Sequence, residues 1–207
     1  MTRTEPAATS PPSTRPAPQA DPLDLALYYH RAGDFESALI QYRTVLQKNE
    51  LNAQAHNNHG VLYQEKNLLD DSARELQRAV LIAPRNARAH NNYGVTLLRQ
   101  GNIDAAAAEL RTALTIDPGN VDAMINLALV EKAGGQPGLA KESLLRALAV
   151  APRNAAAHYN LAVLFDDAFD TLRAIEHYRA FLDTASAEYA HRAPDVRARL
   201  GVLAKAR

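Results

Sequence analysis

Positions 34 residues apart carry the same residue again and again. Asn52, Asn86, Asn120 and Asn154 form one such column, and Asn58, Asn92, Asn126 and Asn160 a second. Ala79, Ala113 and Ala147 form a third, and Pro84, Pro118 and Pro152 a fourth. Four columns with one period are not a coincidence. A repeat of roughly 20–50 residues cannot bury its own apolar face; it gains a core only by stacking on its neighbours. The period therefore restricts the chain to an array that grows by addition of units.

Each unit reads as two amphipathic helices. In the unit that starts at Ala87, His90, Gly94, Leu97 and Leu98 recur at helical spacing, followed by Ile103, Ala106, Ala107, Leu110, Ala113 and Leu114. Gly101-Asn102 links the two helices, and glycine permits the left-handed backbone of a helix end. Asn67 tolerates that conformation at the equivalent place. Pro118 stops the second helix. Asn120 then stands where its side chain can cap the next first helix. Small residues recur where helices must cross closely. Gly60, Gly94, Ala128 and Ala162 occupy one column, and Ala38, Ser72, Ala106, Ala140 and Ala174 another.

This pattern of a small residue, a bulky residue such as Tyr63, Gly, Ala, Leu or Tyr, Ala and Pro resembles the tetratricopeptide repeat. The resemblance implies an all-α fold, a right-handed superhelix of about five helix pairs with a C-terminal capping helix. The units run over roughly 19–52, 53–86, 87–120, 121–154 and 155–184. Pro22 starts the first helix of the first unit late. In the fifth unit Phe169 replaces the turn glycine and Phe181 replaces the small alanine. As domains, residues 1–21 are expected to form a disordered tail, 22–184 the five repeats and 185–207 the cap. Within the cap a helix is expected over 194–206, with Pro194 in its first turn and Val196, Leu200 and Leu203 as its apolar stripe. The tail holds five of the eleven prolines, and no two of them have P-x-x-P spacing, which favours a passive segment.

Composition narrows the function classes. Lys plus Arg and Asp plus Glu are 23 each, so no net charge draws the chain to nucleic acid or an anionic membrane. The absence of cysteine removes disulfides, thiolate chemistry and zinc-thiolate sites, and fits a reducing compartment. No signal-like segment and no membrane-length apolar stretch is present. The expected location is the cytoplasm, with no membrane insertion, no nucleic-acid partner and no cofactor. Catalysis is not expected. Gly134-Gly135-Gln136-Pro137-Gly138 joins two helices and follows no strand, so it is a turn rather than a phosphate loop. Asp166-Asp167 is a lone acidic pair at a helix end. His56, His90 and His158 share a column that Met124 completes, which suits packing better than a metal; His56 and His59 lack an evident third ligand.

The column Asn58, Asn92, Asn126 and Asn160 is the candidate binding site. Asparagine is a poor helix former, so four of them in mid-helix lower stability unless something else uses them. Each lies two residues before the small packing residue, about 200° round the helix, and so is expected on the open concave side. An amide offers both donor and acceptor, which suits the backbone of an extended peptide. Two alternatives stand beside ligand contact: bonding between repeats, and plain inheritance through duplication. Val61, Val95, Leu129 and Val163 lie one turn on and offer apolar contact. Arg88 and Arg99 make the middle of the groove mildly basic. The column resembles the asparagine ladder of the O-linked N-acetylglucosamine transferase superhelix, which implies peptide binding in the groove. A basic carboxylate clamp is not expected, because the column before the asparagines reads Asn57, Asn91, Ile125 and Tyr159. The function implied is a scaffold or protein-interaction module that takes a partner peptide in its groove. The alternative is a structural subunit that assembles, or self-associates, through its ends or convex face.

Overall fold

The structure, a computed structural model, describes residues 21–205. The expected disordered tail lies outside the described residues, apart from Asp21. All described regular structure is helical. The chain forms two compact units, divided between Glu50 and Leu51.

The first unit contains α1 (Pro22–Arg31) and α2 (Phe35–Lys48). The Asp21 carboxylate accepts from the Leu23 N–H at 2.7 Å, and Pro22 occupies the first turn, where its missing N–H costs nothing. Gly33 turns the chain at φ 75°. Ala38 and Tyr42 are fully buried where α2 meets α1.

The second unit holds four helix pairs: α3 (Ala53–Glu65) with α4 (Leu69–Ile82), α5 (Ala87–Arg99) with α6 (Ile103–Ile116), α7 (Val121–Ala133) with α8 (Pro137–Val150), and α9 (Ala155–Asp167) with α10 (Thr171–Thr184). A short 3-10 helix (Ala187–Arg192) leads into α11 (Ala193–Lys205). The asparagines 34 residues apart cap the first helices. The side chains of Asn52, Asn86, Asn120 and Asn154 accept from the N–H groups of Ala55, Ala89, Ala123 and Ala157 at 2.9–3.2 Å. Each first helix ends at a left-handed residue: Asn67 (φ 58°), Gly101 (81°), Gly135 (73°) and Phe169 (59°).

The close crossing inside each pair explains the small-residue column. A Cβ on Gly60 would sit 2.6 Å from Leu76 Cγ, and one on Gly94 would sit 2.7 Å from Leu110 Cγ. Leu76, Leu110 and Leu144 are fully or almost fully buried in the same place in three successive pairs. In the last pair Tyr178 takes that position and Phe181 takes the place of the small alanine. Phe181 is fully buried against Tyr159 and Tyr189, with ring centroids 5.4 and 6.1 Å away. Val196 and Leu203 of α11 are buried in the same apolar cluster, and Leu200 packs against it half-buried. Arg199 fixes the register of α11 by a bidentate bond to Asp166 on α9, with Nε at 2.7 Å and Nη2 at 2.6 Å. The Tyr178 hydroxyl donates to the same carboxylate at 3.2 Å. The Arg199 bonds hold Asp166 below the usual carboxylate range, and burial beside that charge raises the Tyr178 phenol well above its own.

Candidate functional site

The first helices α3, α5 and α7 lie side by side in the second unit. Their asparagines are joined into one chain of amides. Asn126 Nδ2 donates to Asn91 Oδ1 at 2.9 Å, and Asn91 Nδ2 donates to Asn92 Oδ1 at 3.4 Å. Asn92 Nδ2 donates to Asn57 Oδ1 at 2.9 Å, and Asn57 Nδ2 donates to Asn58 Oδ1 at 3.1 Å. Five amides thus connect three repeats in a single donor direction. Burial explains why: Asn57 and Asn58 are 4% and 9% exposed, and an amide removed from water needs a partner.

The rule of the relay is visible where it stops. Asn92 and Asn126 of the main column reach back to the preceding repeat, to the residue just before their own counterpart. For Asn92 and Asn126 that residue is Asn57 and Asn91. For Asn160 it is Ile125, which can accept nothing from a side chain. Asn160 instead donates to the carbonyl of Ala156 on its own helix at 2.9 Å. Inter-repeat bonding, one of the readings left open by the sequence, is therefore present at Asn92 and Asn126.

The relay does not exhaust these amides. An amide can donate twice and accept twice. Among the described residues, Asn92 donates once and accepts once. Asn126 and Asn160 each donate once, which leaves an N–H and the carbonyl oxygen. Beside them Val61, Val95, Leu129 and Val163 are all half-buried, so packing leaves part of each aliphatic surface uncovered.

The two arginines expected near the asparagines behave differently. Arg88 is exposed. Arg99 reaches the preceding repeat, where Nη1 donates to the Gln64 carbonyl at 2.8 Å and Nη2 to Asn67 Oδ1 at 2.9 Å. It closes the end of α3 through two neutral oxygens and keeps its positive charge. Deeper between α3, α4 and α5, Gln64 Nε2 donates to the fully buried Thr96 hydroxyl at 2.9 Å, and Ser72 Oγ lies 3.0 Å from it.

In the histidine column His56 and His90 are buried and His158 is half-buried, and the rings are also hydrogen-bonded. His56 Nδ1 and His90 Nδ1 each lie 2.6 Å from a carboxylate oxygen, of Glu75 and Glu109 respectively. His90 Nε2 donates to the Pro84 carbonyl at 3.1 Å. Burial alone would push Glu75 up, but the His56 bond and the His59 imidazole 3.5 Å away prevail and hold it at about 2. In the fourth pair the carboxylate position is His177, whose Nδ1 lies 3.0 Å from that of His158. Burial, and then the neighbouring His158, lower the pKa of His177. Among the described residues no group of three or more histidines and carboxylates is arranged to hold a metal ion.

Family models described as tetratricopeptide repeat match residues 23–83, 58–121 and 97–161. The chain belongs to the tetratricopeptide-repeat family. The solved structure of PilW, described as a widely conserved type IV pilus biogenesis factor, superposes with a TM-score of 0.75 at 24% identity, over 87% of this chain and 91% of that one. Pseudomonas aeruginosa PilF gives 0.74 at 24% identity, over 87% of each chain. MamA gives 0.69 at 21% identity, over 78% of this chain and 94% of its own. At such identities the likeness is one of fold. No curated protein sequence gives a significant match. Among the described residues, no helix of this tetratricopeptide-repeat chain is long and apolar enough to cross a membrane.

The functional reading of the sequence missed Asn57 and Asn91, which make the ladder continuous. The available signal was the doublet Asn-Asn in two successive units and its loss at Ile125.

Proposed function

We propose that this tetratricopeptide-repeat chain is a protein-interaction module that holds an extended segment of a partner protein along the row of first helices, in the concave groove. The observation that carries the reading is the incomplete use of the relay. Asn92, Asn126 and Asn160 keep donors and acceptors that no neighbour takes among the described residues, next to a half-buried aliphatic row. An extended backbone presents alternating N–H and C=O groups, which amides can pair without reading sequence, while aliphatic side chains cover part of the partner's apolar surface. The resemblance of the sequence column to the asparagine ladder of the O-linked N-acetylglucosamine transferase superhelix supports the reading; here Asn92 and Asn126 each spend one N–H between repeats. We place the activity in the cytoplasm on the grounds of the cysteine-free sequence, and assign it no catalysis.

A second reading, assembly through the outer surface, has one observation in its favour. Phe169 is 92% exposed and Leu172 63% exposed at the turn between α9 and α10. A photo-crosslinking residue placed at Val95 and, separately, at Phe169 tests the two. Adducts with a second protein from native lysate, formed from position 95 and blocked by L129D, support the groove. Adducts confined to position 169, or homodimers from it alone, overturn the groove in favour of the second reading.

A further inference from the structure

Two successive repeats pair an imidazole on the first helix with a carboxylate on the second: His56 with Glu75, and His90 with Glu109. The unit of α7 and α8 breaks this pattern at three positions together. Met124 replaces the histidine, and Ser143 replaces the glutamate. A carboxylate reappears on the first helix as Glu131, in a column that otherwise reads Tyr63, Leu97 and Phe165. Glu131 is only 6% exposed and Ser143 only 5%. Ser143 Oγ donates to Glu131 Oε2 at 2.8 Å, and among the described residues Glu131 has no cationic partner.

A buried carboxylate with one neutral hydrogen bond is costly, because an ionised group leaves water without a compensating charge. The aromatic or leucine side chain of the other units would avoid that cost. Glu131 does not face a closed core, however. It lines a cleft of about 430 Å³ between α6, α7 and α8, together with Ser143, Leu114, Leu127 and Leu139. Arg111, Arg146 and Glu142 stand exposed around its mouth and make no ion pair among the described residues. Charges in water at the mouth act through a higher effective dielectric than the buried one at the floor, and so weigh less on a bound group. The floor therefore sets the preference. The cleft also lies about 140° round α7 from Asn126, so it is separate from the asparagine row.

We propose that this cleft is a second binding site, which receives the ammonium or guanidinium group of a lysine or arginine side chain from a partner protein. Glu131 accepts the charged donor, and Leu114, Leu127 and Leu139 line the path of its aliphatic stem. The proposal does not depend on the asparagine groove, and either can fail alone.

The test uses the full chain, ¹⁵N-labelled, titrated at constant ionic strength with N-acetyl-lysine methylamide and N-acetyl-arginine methylamide; N-acetyl-glutamate methylamide is the control. The expected result is saturable amide shifts around Leu127–Glu131 and Ser143 with either basic probe, and none there with the acidic one. E131Q keeps the shape and the serine bond, and should weaken binding about tenfold or more, the value of one lost charge-assisted bond. E131L matches the leucine of the preceding unit, so it should fold, melt higher than the wild type and lose the shifts. Absence of saturable shifts in the wild type overturns the proposal. So does basic-probe binding by E131L at wild-type strength, or a cleft response to the acidic probe instead, which would make it an anion site on Arg111 and Arg146.

Discussion

Replacing Asn91 by Ala and Asn160 by Ala, one at a time, makes the same chemical change in neighbouring columns with different consequences. Asn91 receives the Asn126 bond at 2.9 Å and makes a longer one to Asn92 at 3.4 Å. Losing a well-formed neutral bond costs about 1 kcal/mol, and the weaker one adds a few tenths. The helix recovers about 0.6 kcal/mol, because alanine is the better former. N91A should therefore be about 0.5–1 kcal/mol less stable, a fall of roughly 1–4 °C in Tm for a chain of this size. Asn160 lies outside the relay, and among the described residues its side chain bonds only to the Ala156 carbonyl of its own helix. That carbonyl is already inside the helix, so N160A should leave Tm unchanged or raise it by about 1–2 °C. Thermal and urea melts of the two variants read the difference directly. A cycle with N126A should show that N91A and N126A are not additive, by about 0.5–1 kcal/mol. Equal shifts of the same sign for N91A and N160A, with additive N91A and N126A, would refute the relay as a stabilising device.

Three further outcomes are expected. Phe169 holds a left-handed backbone at φ 59° with its ring almost fully in water, so F169G should raise stability by about 1 kcal/mol in a thermal melt. Glu75 is held at about 2 when folded, below its ordinary 4.5, so its contribution is present above about 4.5 and is lost as pH falls through that value toward 2. Melts between those limits should show a shallower loss in E75Q than in the wild type. L203A, which empties a buried position in α11, should cost about 2 kcal/mol, and removal of 193–207 should expose Phe181 and lower both Tm and solubility.

The fold was legible because its determinants are local and repeated. The capping asparagines, the left-handed turn residues and the small residues where helices cross each act within one unit, and a period of 34 residues displays each of these columns four times. The site was less legible because its bonds run between units. That Asn92 donates to Asn57 follows only when the first helices are set side by side, and the clue is a doublet rather than a column. Arg99 illustrates the same point: on a helical wheel it is a solvated charge, yet it ties off the Gln64 carbonyl of the preceding unit. A packing role can be read for the histidines from their column, but the carboxylates that pair with them lie 19 residues on, in a second column that needs the first to have meaning. Glu131 stands out only as an exception, after the columns around it are known.

The groove reading rests on amide groups left over from the relay, and side-chain amide exchange measures those groups directly. In the free chain, one N–H of Asn92 and of Asn126 should exchange slowly, since it bonds to Asn57 or Asn91, and the other should exchange at the rate of an exposed amide. A partner segment captured by crosslinking at position 95 and then added in excess should slow that second N–H on Asn92, Asn126 and Asn160. If the segment binds while all three second N–H groups continue to exchange as in the free chain, the asparagine row serves the repeats alone and the groove reading is wrong.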